Sequence, residues 1–162
     1  MILIALGANL TSPAGAPEET LEAALSELGA RGIKVEKRSG FYRSAAWPDR
    51  RDPAFVNAVA ALRTALAPAP LLDVLHQVER QFGRARGPLN APRTLDLDLI
   101  DYDGRIEQGP PQLPHPRLGT RAFVLVPLRE VAPDWRHPVS GRNVSELIAA
   151  LPDTEIAHLP PE

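Results

Sequence analysis

A chain of 162 residues, 44% apolar and 23% charged, has enough apolar material to fill one core and build one domain. Its formal net charge of −2 gives no basic footprint of the kind nucleic-acid binders carry. With no cysteine, disulfides and thiolate metal sites are excluded.

The opening run Ile2 to Leu6 reads as a short buried strand, ended by Gly7 and Asn9. It follows no basic segment and is far too short to span a bilayer, so the cytoplasm is the expected compartment. Pro17-Glu18-Glu19-Thr20 opens a helix with proline and acids in its first turn. Leu21, Ala24, Leu25 and Leu28 form its apolar stripe, and Gly29 is read as its end. Ile33 to Tyr42 is expected as one strand. Ser44 to Pro53 is a polar loop carrying Trp47.

Phe55 to Leu66 is expected as a strand, its alanines leaving a helix open. After Pro68-Ala69-Pro70, Leu71, Leu75, Val78, Glu79 and Phe82 fall at helical spacing. Residues 83–92 are punctuated by glycine and proline and predict a loop. Thr94 to Tyr102 is the clearest strand, with Leu95, Leu97 and Leu99 alternating against Asp96, Asp98 and Ile100. Pro110 to Pro116 predicts a rigid loop. Phe123 to Val131 and Asn143 to Leu151 predict two further helices. The order is βαββαβ with extra helical pieces at the C-terminal end. It predicts a ferredoxin-like α+β sandwich: a mainly antiparallel sheet with helices on one face, one domain over 1–162.

Asp96 and Asp98 are the first candidates for chemistry. Side chains two apart on a strand share a face, which puts the two Cα atoms about 7 Å apart. Such a pair suits magnesium, which binds through one or two carboxylates plus substrate phosphates. The bland alternative is a solvated acidic strand face. Arg84 and Arg86 in the loop, and Arg93 just before the strand, supply the forked donors a polyphosphate needs. No P-loop and no kinase glycine loop occurs.

On the other side, Phe55 and Asn57 share a strand face. An asparagine amide can read the edge of a heterocycle, and Trp47 and Phe123 can stack on one. Core aromatics and a turn asparagine are the alternative. His115, between Pro114 and Pro116, has Arg121 close behind it. With His76, His137 and His158 it shows no zinc spacing.

Taken together these segments resemble one family. Gly7-Ala8-Asn9-Leu10, Phe41-Tyr42-Arg43-Ser44, Phe55-Val56-Asn57-Ala58, Glu79 to Arg86, Arg93-Thr94-Leu95-Asp96-Leu97-Asp98 and Leu113-Pro114-His115-Pro116-Arg117 follow the order of the 6-hydroxymethyl-7,8-dihydropterin pyrophosphokinases. The resemblance implies transfer of pyrophosphate from ATP to the pterin hydroxymethyl group, releasing AMP. It implies two magnesium ions on Asp96 and Asp98, and catalytic roles for Arg84 and Arg93. It also implies an ATP side at His76, Glu79, Arg84, Arg86, Arg93, Leu99, His115 and Arg121. Ser44, Ala45, Trp47, Phe55, Asn57 and Phe123 match the pterin side. Ala91-Pro92-Arg93 stands where many members have Gly-Pro-Arg, and Pro116 where some have tyrosine. The expected partners are ATP and the pterin, with no nucleic acid and no membrane. A monomer is expected, a homodimer being the alternative. The rival readings are a different two-metal phosphate-ester enzyme and a non-catalytic ferredoxin-like binding module.

Overall fold

A strand buried on both faces reads as a continuous apolar run. Ile2–Ala8 (β1) is such a strand in the computed structural model, which describes residues 1–44, 54–84 and 94–153, and all seven of its residues are buried. It lies in the middle of an antiparallel sheet. Phe55–Arg63 (β4) pairs on one side of it and Asp96–Tyr102 (β5) on the other. Lys34–Arg38 (β2) and Tyr42–Ser44 (β3) both pair with β4, giving the order β2-β4-β1-β5 with β3 also against β4.

Two helices cover one face. Pro17–Ala30 (α1) and Pro68–Gln81 (α2) pack Leu21, Leu28, Leu71, Leu75 and Val78 onto Ile4, Leu6, Leu97 and Leu99. Arg31 caps α1 and ties the two together, donating to Glu27 (2.9 Å), Gln77 (2.9 Å) and Gln81 (2.8 Å). The helix runs past Gly29, the expected stop. It is Gly32, at φ 82°, that takes the left-handed backbone.

The opposite face is covered too, where the sequence led us to expect helices on one face only. Leu3, Ala5, Val59, Ala61 and Ile100 form an apolar strip there. Ala122–Val131 (α3) and Val144–Ala149 (α4) bury it with Val124, Leu125, Leu128, Val144 and Ile148. Asn143 starts α4 with a capping box: its Oδ1 accepts the Glu146 N–H at 2.8 Å, and Glu146 returns to the Asn143 N–H at 3.4 Å.

The strand expected over Ile33 to Tyr42 is broken. Ser39 stays on β4, donating its N–H to the Val59 carbonyl (2.9 Å) and accepting the Val59 N–H on Oγ (3.0 Å). Gly40 leaves the ladder, and its N–H goes to Glu130 on α3.

A register shift against β1 at Ile100 turns the end of β5. Asp101 is thereby buried, accepting Trp135 Nε1–H at 2.8 Å and the Gly104 N–H at 3.1 Å. Asp101→Ala leaves both donors without their acceptor. It should cost about 2–4 kcal/mol, read as a lower urea midpoint with unchanged slope.

Candidate active site

Residues in register on antiparallel strands point to the same face. Two rows follow from the pairing. Tyr42 lies opposite Asn57, Asn57 opposite Gly7, and Gly7 opposite Asp96. In the next row Val59, Ala5 and Asp98 are aligned. Because Ala5 and Val59 belong to the α3 side of the sheet, both aspartates face that side as well. Leu95, Leu97 and Leu99 point the other way, into the α1–α2 core.

The amide of Asn57 and the carboxylate of Asp96 therefore stand two strands apart, about 10 Å, with only a glycine between them. A Cβ on Gly7 would sit 3.3 Å from Asn57 Oδ1 and 3.9 Å from Phe55 Cδ1. The sequence predicts that the strand ends at Gly7. Gly7 lies inside β1, buried, where a glycine often marks close approach, and it is the residue between Asn57 and Asp96.

On one side of Gly7 lie predicted pterin-side residues. Asn57 Nδ2 donates to Ser44 Oγ at 2.8 Å, and Ser44 lies opposite Phe55 in the ladder. Phe123, in the first turn of α3, packs against Tyr42 and Ala122. The Arg121 guanidinium lies 5.3 Å from the centre of its ring. Ala45 and Trp47 fall outside the described residues, as do Arg86 and Arg93 of the phosphate side.

The other side is charged. Glu79, at the end of α2, is 6% exposed and reaches across to accept the Leu97 N–H at 2.8 Å. Arg84 donates to Glu79 and, at 2.7 Å, to Asp96 Oδ1. Burial works against the Arg84 charge, but Asp96 and Glu79 outweigh it and raise its pKa. Burial pushes the Glu79 carboxyl up to about 7, held back by the Leu97 amide and Arg84. Asp98 also rises to about 7, through burial and then through the charges of Asp96 and Glu79; Arg121 and Arg84 oppose this. Three carboxylates thus share one corner with two arginines close by.

His115 comes alongside the outer edge of β5, where its N–H donates to the Ile100 carbonyl at 3.1 Å. Its Nδ1 accepts the Arg117 N–H at 3.2 Å. Burial, then Arg121, lowers its pKa, so the ring favours the neutral form with its proton on Nε2. His76 is exposed on α2, and the Leu99 side chain is 3% exposed within the core.

The donor set suits a hard cation. Two carboxylates on one strand face supply oxygen ligands, and magnesium keeps its other positions for water and phosphate. Among the described residues no three acidic or histidine side chains converge into a complete cage, so any ion here would need substrate oxygens.

The sequence model of the 7,8-dihydro-6-hydroxymethylpterin-pyrophosphokinase family matches residues 3–133. The chain is 42% identical over 156 residues to a 2-amino-4-hydroxy-6-hydroxymethyldihydropteridine pyrophosphokinase of Synechocystis sp., covering 95% of this chain and 77% of that one. The Pseudomonas aeruginosa protein of the same name is 41% identical over 160 residues, covering 98% and 96%. This chain is also 35% identical over 156 residues to the folic acid synthesis protein of Pneumocystis carinii, of whose length it spans 20%.

Proposed function

The chain belongs to the 7,8-dihydro-6-hydroxymethylpterin-pyrophosphokinase family, and on that premise we propose that its two substrates meet over Gly7, between Asn57 and Asp96. As a member of this family it is an ATP-dependent transferase. It moves pyrophosphate from ATP to the hydroxymethyl group of hydroxymethyldihydropterin, a step of folate biosynthesis.

The observation that carries the placement is the register, which leaves a glycine where a side chain would separate the two sides. Asn57, with Ser44 holding its amide, is assigned to the edge of the pterin ring, and Phe55 and Phe123 to its faces. Ala45 and Trp47 are assigned to the same side. Asp96 and Asp98 would hold two magnesium ions. Bound there, magnesium would offset phosphate charge and help orient the pterin alcohol.

The reaction itself is a displacement at the β-phosphorus. The alcohol oxygen forms a bond to phosphorus, the bond to the AMP oxygen breaks, and the hydroxyl proton is released. Such transfers ask mainly for alignment and charge neutralisation. Arg84 is already at the acidic corner. Held by both Glu79 and Asp96, its guanidinium is assigned to the phosphates, and Glu79 would keep hold of the side chain if Asp96 served as a metal ligand. His115 would donate from Nε2 to a phosphate oxygen, and Arg121 would balance charge on the departing AMP. Arg86 and Arg93 are assigned to the same charge. His76 is assigned to the outer nucleotide side. Leu99 would contribute main chain, since its side chain is in the core. The Leu97 N–H already points away from β1, and Leu99 follows it by two residues.

We take 1–162 as one pyrophosphokinase domain, working as a monomer in the cytoplasm, where ATP is at hand. Among the described residues no helix is long and apolar enough to cross a membrane.

Incubation with ATP, magnesium and the hydroxymethyl pterin should give AMP and the pterin diphosphate in equal amounts. AMP formed equally without pterin would mean a hydrolase, and no magnesium-dependent turnover at all would mean a binding module.

A further inference from the structure

The pterin side, as proposed above, is built from two pieces far apart in sequence. Ser44, Phe55 and Asn57 come from β3 and β4, and Phe123 comes from the start of α3. The spacing between these pieces decides whether a flat ring fits. α3 sits on the sheet through Val124, Leu125 and Leu128. Apolar packing of this kind resists separation but yields to small shifts along the surface. A directional hydrogen bond does not.

One such link exists. Tyr42 lies along α3, its ring packed with Ala122, Phe123 and Val126, and its hydroxyl donates to Glu130 Oε1 at 2.7 Å. Phe123 and Glu130 are seven residues apart, two helical turns, and so share a face. The same carboxylate takes the Gly40 N–H at 3.0 and 3.2 Å, where the β2–β3 segment leaves the sheet. At its other side Tyr42 is in register with Asn57. Burial, then Glu130, pushes the Tyr42 hydroxyl up to about 12, so it remains a donor throughout the neutral range.

We propose that Tyr42 and Glu130 are positioning residues that set the width of the pterin slot, fixing α3 and Phe123 against the Asn57 side. Neither needs to touch a substrate. The proposal rests on the reading that Asn57 and Phe123 hold the pterin.

Steady-state rates of AMP formation test it, with KM measured separately for pterin and ATP. Tyr42→Phe keeps the ring and removes only the hydroxyl. It should raise the pterin KM about tenfold, the worth of one hydrogen bond to a charged group, with kcat and the ATP KM within about twofold. Glu130→Ala should do the same or more. Glu130→Gln retains an acceptor oxygen and should restore the pterin KM to within about threefold of native. An unchanged pterin KM in Tyr42→Phe overturns the proposal. So does an equal rise in both KM values, or a Glu130→Gln as impaired as Glu130→Ala. Asn57→Ala separates the two levels. If it too leaves the pterin KM unchanged, the pterin assignment has failed; if it raises that KM while Tyr42→Phe does not, only the positioning role has.

Discussion

Asp98→Ala should stop pyrophosphoryl transfer in a protein that still folds. The strand does not depend on this carboxylate: Leu95, Leu97 and Leu99 hold β5 from the opposite face and are at most 3% exposed. Loss of one of two magnesium ligands should lower kcat/KM by about a thousandfold or more, about 4 kcal/mol of barrier. AMP release measured by chromatography gives the rate, and far-ultraviolet circular dichroism gives the fold. A variant that keeps a tenth of native activity would move the metal site elsewhere.

The same carboxylate makes a second, independent prediction about stability. Its pKa rises from 3.8 in the unfolded chain to about 7 in the folded protein, so between those values the folded state binds more protons. Stability of the magnesium-free protein therefore falls as pH rises through that window. Glu79, raised from 4.5 to about 7, acts in the same direction. At pH 8 without magnesium, Asp98→Ala should melt at or above the native temperature. Adding magnesium and ATP should raise the native melting temperature and leave the variant's nearly unchanged. A variant destabilised at pH 8 would show that the charge is already compensated.

The acidic strand was legible because three leucines alternate with its acids, which puts the leucines on one face of a strand and buries them together. The helices α1 and α2 were legible from their apolar stripes and proline starts. The break between β2 and β3 was not. Its cause is Glu130, about ninety residues away, which takes the Gly40 N–H that the ladder loses. Covering of the second face could have been read from β1 and β4, whose apolar runs lack the alternation of a one-sided strand. Glu79 carried the least signal. It falls in the series of Leu71, Leu75, Val78 and Phe82 and is named for the ATP side by the resemblance alone; only the fold brings it to the Leu97 amide and Arg84.

Gly7 is hidden for a different reason, since Gly7-Ala8-Asn9 has the composition of a turn. Its place between Asn57 and Asp96 makes it the most informative position for the proposed pterin site. Gly7→Val should raise the pterin KM about a hundredfold, with the ATP KM within about threefold. Valine suits a buried strand, so the backbone should accept it. Its Cβ would start 3.3 Å from Asn57 Oδ1, and its two methyl groups would occupy the space between Asn57 and Asp96. Overpacking of this kind costs about 1–3 kcal/mol, and here the cost is expected to fall on the bound ring, which needs the space the methyl groups take. Gly7→Ala adds the Cβ alone and should give about a tenfold rise. Calorimetric titration of each variant with the pterin checks the order. If Gly7→Val binds pterin as the native protein does, the ring does not lie over β1, and the space between Asn57 and Asp96 serves some other group.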